Sequence, residues 1–255
     1  MSILEEVIEK FRKKDQFPQT SFENISNLPD VVFFDYDGTI SDNAENIVKA
    51  FKFVLKKNFT KKQAKEIKKI KKDSEQWAFI KQNYPIEMFS KCNADYDEFL
   101  SNQKFHKVRG ALKLIKRLYR FKVPMIVISQ KRGEGLRDEL KKAKIDKYFK
   151  NAHGTLDFGE LQKPSPEFLQ EVKNANNITS QKSWVIGDRI VDVITALNLN
   201  GKAFIIDKSD FEEVVNNNGN LIGTQIFFTS YLKLKKLVNK LHKMERKMEK
   251  KHIII

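Results

Sequence analysis

The sequence predicts a doubly wound, parallel α/β sheet carrying an all-helical insert. Three observations predict it. Short runs of bulky apolar residues recur along the chain: Val31 to Phe34, Val123 to Ile128, Ser183 to Ile186, Ala203 to Ile206 and Ile226 to Phe228. Such unbroken runs suit strands buried on both faces. Amphipathic stretches with short connections separate most of them, the pattern of strands joined by crossover helices. Between the first run and the second lies a long segment with helical spacing and no strand pattern.

Taken in order, residues 1–28 form an N-terminal extension. Ile3, Leu4, Val7, Ile8 and Phe11 share one helical face, which ends before Phe17-Pro18. Residues 29–40 and 108–229 form the core, with the helical insert at 41–107. In the insert Ile47, Phe51, Val54 and Leu55 are spaced as a helix, followed by Ala64, Ile67 and Ile70 among lysines, then Trp77 to Ile80. Lys61, Lys65, Lys68 and Lys72 share a face, read as solvated. Ala111 to Arg120 and Gly133 to Ala143 read as helices flanking the second strand, where Pro124 is confined to the start. His153 to Gln162 reads as loop. Pro166 fits the first turn of the next helix. A helix after Asp192 turns Val193, Ala196 and Leu197 inward, and Asn200-Gly201 closes it. Residues 230–255 form a basic helix with the stripe Leu234, Leu237, Leu241, Met244 and Met248, read as packing on the domain or as a self-association helix in preference to a membrane-surface one.

Composition narrows the function classes. With 40% hydrophobic and 32% charged residues over 255, the chain is globular, and no stretch approaches the length of a membrane span. The opening Met1 to Glu6 has no signal-peptide core, and the single Cys92 excludes an internal disulfide, so a reducing cytoplasm is expected. The four histidines are scattered and read as surface or structural residues. The net charge of +15 favours acidic partners. Because lysine is abundant throughout, a default lysine surface is preferred to a dedicated nucleic-acid face.

Chemistry concentrates at strand ends, where open α/β sheets bind ligands. Asp35 and Asp37 follow the first strand, two apart, so both side chains lie on one side of an extended chain. Gly38 lets the chain turn there and offer N–H groups to an anion, with Thr39 next. Ser129 and Gln130 end the second strand, Lys163 precedes Pro-x-Pro, and Gly187-Asp188 with Asp192 follows the third apolar run. Asp35, Asp188 and Asp192 make a carboxylate cluster suited to Mg²⁺, a hard cation that prefers oxygen. Lys163 and Ser129 supply a point charge and a hydroxyl for phosphoryl oxygens. Phosphoryl transfer needs these parts: a nucleophile, neutralised oxygens and a proton for the leaving group.

The ordered set, Asp35-x-Asp37-Gly38-Thr39, Ser129, Lys163 and Gly187-Asp188 with Asp192, resembles the four motifs of the haloacid dehalogenase superfamily, in its phosphatase branch. The resemblance spans Val31 to about Asp207. It implies a Rossmann-like core with a helical cap that selects substrate, as in phosphoglycolate phosphatase-like enzymes. It implies a Mg²⁺-dependent phosphatase acting on a small phosphate monoester, such as phosphoglycolate or a sugar phosphate, through an aspartyl-phosphate. Asp35 would be the nucleophile and Asp37 the general acid and then base. Gly38, Thr39, Ser129, Gln130 and Lys163 would bind the phosphate. Mg²⁺ would be held by the side chains of Asp35 and Asp188 and the backbone carbonyl of Asp37, with Asp192 acting through water or as an outer ligand. Gln130, where relatives often carry Asn, and Arg189, where a small residue is common, depart from the pattern. A phosphosugar mutase, a nucleotide or nucleic-acid-end phosphatase, and a non-catalytic interaction protein on the same fold are the alternatives.

Overall fold

The apolar runs pair into one sheet. The computed structural model describes residues 22–42, 44–55, 59–67, 105–180, 182–206, 221–222 and 225–252, with positions 70, 79, 82–83, 99 and 103. The extension helix expected near residues 3–11, and Lys68, Lys72 and Trp77 of the insert, lie outside the described residues.

Six strands run parallel: β1 (Val31–Phe34), β2 (Met125–Arg132), β3 (Asn151–Thr155), β4 (Ser183–Gly187), β5 (Lys202–Ile205) and β6 (Ile226–Phe228), in the spatial order β3-β2-β1-β4-β5-β6. Every residue of β1 and β4 is buried, as unbroken apolar runs require. Burying a phenylalanine such as Phe33 or Phe34 contributes about 1.5–3 kcal/mol. Side-chain parity divides the core. Val31, Phe33, Ile126, Ile128 and Val185 face one layer, packed against helices α5 (Pro166–Ala175) and α6 (Ile190–Asn198) through Phe168, Val172, Val193 and Ala196. The alternate residues face the other layer. There Phe34 meets Phe149 edge-on at 6.1 Å, and Phe204 stacks on Phe227 at 5.2 Å. Phe22, in a short 3₁₀ turn, adds its ring to Phe204 and Phe227, so the end of the N-terminal extension covers β5 and β6.

Helices α3 (Ala111–Arg120), α4 (Gly133–Lys142) and α7 (Tyr231–His252) complete this core. On α7 Leu234, Leu237 and Leu241 are buried, whereas Met244 and Met248 are exposed, so the apolar stripe packs on the domain only as far as Leu241. Although α7 is long, no helix among the described residues is long and apolar enough to cross a membrane.

Two boundaries differ from the sequence expectation. Strand β2 starts at Met125 and runs on through Ser129 to Arg132, with a register shift against β3 between Ile128 and Arg132. The stretch beginning at His153, expected as loop, opens in strand β3. Asn-Ala-His-Gly-Thr has no bulky apolar run to announce a strand, and pairing with β2 creates it. Tertiary pairing of this kind overrides weak local preference.

The chain divides into two compact units, Met1–Ser41 with Lys107–Ile255, and Asp42–His106. The second contains α1 (Ala44–Leu55) and α2 (Lys61–Ile67), around a core of Ala50, Phe51, Leu55, Phe59 and Ile67. Thr60 caps α2: its Oγ1 accepts from the Gln63 N–H at 3.2 Å, and its own N–H donates to Gln63 Oε1 at 2.9 Å.

Candidate active site

The strand order reverses between β1 and β4, and a crevice for ligands opens beyond the carboxyl ends of strands at such a point. Asp35 follows β1 and Asp188 follows β4, so the pairing of Phe34 with Ile186 brings the two carboxylates together. The Asp35 N–H donates to the Ile186 carbonyl at 2.9 Å and locks the two strand ends in register. Lys163 arrives from the connection after β3, just before α5. Ser165 caps that helix by accepting from the Phe168 N–H at 3.1 Å, and Pro166 occupies its first turn.

Asp35, Asp188 and Asp192 each offer an oxygen, and these oxygens lie within 4.8 Å of one another. All three residues are buried, and so is Lys163, which has no exposed surface. Its Nζ donates to Asp35 Oδ1 and, at 2.9 Å, to Asp192 Oδ1. Asp192 Oδ2 accepts the N–H groups of Asp188 and Arg189, each at 3.1 Å. Both Asp192 oxygens are therefore engaged by N–H donors, whereas Asp35 Oδ2 is buried with no hydrogen-bond partner. A buried, unpaired carboxylate oxygen is costly unless a cation or proton meets it, so this donor set fits a hard divalent ion.

Electrostatics point the same way. Burial pushes the Asp35 carboxyl up to about 6 against the pull of Lys163. Burial, then the charges of Asp35 and Asp192, push Asp188 up to about 8. Burial opposes the charge of Lys163, but Asp192 and Asp35 outweigh it and hold its pKa above the ordinary lysine value. Against three ionised carboxylates stand the Lys163 ammonium and the Arg189 guanidinium, which still leaves one negative charge in a site shielded from water, a setting that draws in positive charge.

The glycine after Asp37 is required twice over. Gly38 has φ +82°, and a Cβ there would lie 2.2 Å from Asp188 Oδ2. Thr39 is buried, and its Oγ1 donates to Asp188 Oδ1 at 3.2 Å. The Gly38 N–H donates to the Ser41 carbonyl at 2.8 Å and the Thr39 N–H to the Tyr36 carbonyl at 3.3 Å. Both amides, expected to face an anion, are thus engaged inside the turn. The Asp37 side chain is one-third exposed, with Lys131 Nζ 3.9 Å from its Oδ1. Ser129 is buried on β2, and its Oγ accepts the Lys131 N–H at 3.1 Å, which leaves the hydroxyl hydrogen to donate. Gln130, the next residue, is exposed.

Sequence reasoning missed four contributors. Lys131 pairs with Glu139 at 2.5 Å as well as approaching Asp37, and its ammonium lies 5.6 Å from the Tyr36 ring centre. Its position two residues beyond Ser129, on the same side of the strand, is the signal that could have found it. Arg137 binds Asp157 through two hydrogen bonds of 2.8 and 3.0 Å, and Asp157 accepts the Gly154 N–H at 2.9 Å. That clamp ties α4 to the segment leading toward Lys163. Tyr231, at the start of α7, donates its hydroxyl to the Thr39 carbonyl at 2.6 Å. No local pattern marks the last three.

The family model described as haloacid dehalogenase-like hydrolase matches residues 32–206. A protein of Caldanaerobacter subterraneus subsp. tengcongensis named "Putative pyrophosphatase PpaX" is 28% identical over 171 residues, covering 65% of this chain and 76% of that protein. The crystal structure of a predicted phosphatase from Clostridium acetobutylicum superposes with a TM-score of 0.64 at 25% identity, covering 84% of this chain and 100% of that one. The "putative HAD-hydrolase YfnB" of Bacillus subtilis, bound to magnesium, superposes with a TM-score of 0.66 at 18% identity, covering 82% of this chain and 98% of that one. The matched residues run from β1 to just past β5 and take in all four sequence motifs, so the chain belongs to the haloacid dehalogenase-like hydrolase family.

Proposed function

We propose that the protein is a Mg²⁺-dependent phosphatase that hydrolyses a small phosphate monoester through an aspartyl-phosphate on Asp35. The observation that carries this reading is the buried set of Asp35, Asp188, Asp192 and Lys163, in which Asp35 keeps one oxygen unpaired. An anionic nucleophile held against a fixed ammonium suits attack on phosphorus, and a structural ion-pair cluster has no need of the unpaired oxygen.

The side chains of Asp35 and Asp188 and the backbone carbonyl of Asp37 would hold the metal. When bound, Mg²⁺ supplies a hard positive charge that keeps the carboxylates ionised and offsets charge on the phosphoryl oxygens. Asp192 would support the metal ligands indirectly: it orients Lys163 and fastens the Asp188 loop, since both its oxygens already accept N–H donors. A carboxylate oxygen of Asp35 attacks phosphorus as the ester oxygen leaves, and Asp37 gives that oxygen its proton. Water then attacks the aspartyl-phosphate, and Asp37 takes the proton that the water loses. Lys163 and the Ser129 hydroxyl bind the equatorial oxygens in both steps.

Phosphoglycolate and sugar phosphates are the first substrates to screen, and the name of the Caldanaerobacter relative adds inorganic pyrophosphate to the panel. The test is release of phosphate from a generic aryl phosphate and from this panel, with Mg²⁺ and with EDTA. Release that needs Mg²⁺ supports the reading. No release from any ester, with Mg²⁺ shown to bind, would hand first place to a non-catalytic interaction protein.

A further inference from the structure

The positive charge of the chain is not spread evenly over the core. On α7, Lys233, Lys236, Lys240, Lys243 and Lys247 follow one another at alternating intervals of three and four residues, and all five are exposed. That spacing places them in a single row along the helix, about 21 Å long at 1.5 Å per residue. None of the five has an ion-pair partner among the described residues. The neighbouring helix adds a second row: Lys113, Lys116 and Arg120 of α3 are likewise exposed and unpaired, and α3 contains no acidic residue.

The two rows share one surface. Gly110, before α3, lies against Tyr231, at the start of α7, where an added Cβ would sit 2.7 Å from the Tyr231 Cβ. Phe121, after α3, stacks on His242 of α7 at 3.7 Å between ring centres. Both contacts span the same number of residues along each chain, so the helices lie side by side and run in the same direction. Each turns its apolar residues toward the sheet, Leu114, Ile115 and Leu118 on α3 and Leu234, Val238 and Leu241 on α7, which sends the cations outward. Lysine abundance alone does not explain this segregation. Helix α4 mixes three acidic with three basic residues, and α5 carries two glutamates against one lysine.

We infer that this two-helix face is a docking surface for the phosphate backbone of a nucleic acid. A straight row of about 21 Å of closely spaced ammonium groups exceeds what one small phosphorylated molecule can engage. Duplex DNA, which carries one charge per about 1.7 Å of axis, can meet the whole row. A lipid surface fits less well. A helix lying in a membrane interface buries its apolar face in lipid, and the apolar face of α7 is committed to the domain as far as Leu241. The surface reads charge and not sequence, so it would serve to hold the enzyme on nucleic acid.

The test is fluorescence anisotropy of a labelled 20-base-pair DNA duplex with the full chain over a series of salt concentrations. Binding at low salt should weaken with a log–log slope between about −4.5, the value for five phosphates neutralised by the α7 row alone, and about −7, the value with the three α3 cations engaged as well. Reversing Lys236→Glu, Lys240→Glu and Lys243→Glu together should cost at least tenfold in affinity and flatten the slope by about 3. The same three positions changed to Gln should weaken binding in the same sense, which separates lost attraction from added repulsion. Aryl phosphate hydrolysis should be unchanged. Lys61→Glu, Lys62→Glu and Lys65→Glu, an equal change of charge on exposed lysines of the second unit, should cost less than twofold. Three results would overturn the inference: no binding at low salt, equal loss in the control variant, or displacement of the duplex by phosphatidylserine vesicles at matched anionic charge.

Discussion

Lys163 Nζ donates to Asp192 Oδ1 at 2.9 Å, and both side chains are buried. The opposite oxygen of Asp192 accepts two backbone N–H groups, so one carboxylate joins the lysine of the third motif to the loop of the fourth. An amide cannot accept on both sides. Asp192→Asn should therefore leave either the ammonium or the two N–H groups facing an NH₂. The expected cost is about 2–4 kcal/mol of stability, together with a fall in turnover of at least tenfold. Thermal unfolding alongside aryl phosphate hydrolysis checks both.

The Tyr231 hydroxyl ties the C-terminal helix to the loop that carries the paired aspartates. Tyr231→Phe keeps the ring and leaves the Thr39 carbonyl without that donor. A loss of about 1–2 kcal/mol in urea unfolding is expected. Because the loop that carries Asp35 and Asp37 is loosened, kcat should fall while KM changes little. Unchanged stability with unchanged kcat would show that the hydrogen bond does not hold the loop.

Stability of the metal-free protein should depend on pH in an unusual direction. Asp35, raised to about 6, and Asp188, raised to about 8, keep their protons in the folded state at a pH where the unfolded chain, ionising near 3.8, has lost them. Between those limits the folded state binds more protons, so stability should fall as pH rises from about 4 to about 8. Urea midpoints in EDTA at pH 5 and pH 8 measure this fall. Saturating Mg²⁺ should abolish it by favouring the ionised carboxylates, and Asp188→Asn should reduce it in EDTA.

Gly38 and Gly159 both have positive φ, but only Gly38 has another side chain against it. Gly159→Ala enters open space and should cost only the left-handed penalty of about 1–2 kcal/mol. Gly38→Ala must in addition push Asp188 aside. It should cost about 1–3 kcal/mol more and weaken Mg²⁺ binding at least tenfold, measured by calorimetry. Equal costs at the two positions would argue against the close approach of Asp188.

The parts of the fold written as local patterns were legible in the sequence. Strands β1 and β4 announce themselves because every residue of Val31–Phe34 and of Ser183–Gly187 is buried. Lys163 and Asp192 could be singled out because prolines and a Gly-Asp step stand beside them. Strand β3 could not be read this way. His153, buried within it, is satisfied by Asn176 Nδ2 at 2.9 Å, a partner 23 residues away. The Arg137–Asp157 clamp and the Tyr231–Thr39 hydrogen bond likewise join residues 20 and 192 positions apart, so they exist only once the sheet has formed. The turn amides of Gly38 and Thr39 show the opposite case. Their residue types suggested anion binding, and the closing of the turn consumed their N–H groups.

The aspartyl-phosphate on Asp35 is the centre of the account, and acid quenching during turnover tests it most directly. Protein quenched with excess aryl phosphate and Mg²⁺ should carry a hydroxylamine-labile phosphoryl group that maps to Asp35. Asp37→Asn should make it accumulate, because the second step loses its base, and Asp35→Asn should abolish both the label and the release of phosphate. Steady phosphate release from an Asp35→Asn protein, or turnover with no labelled aspartate in the Asp37→Asn variant, would contradict the account.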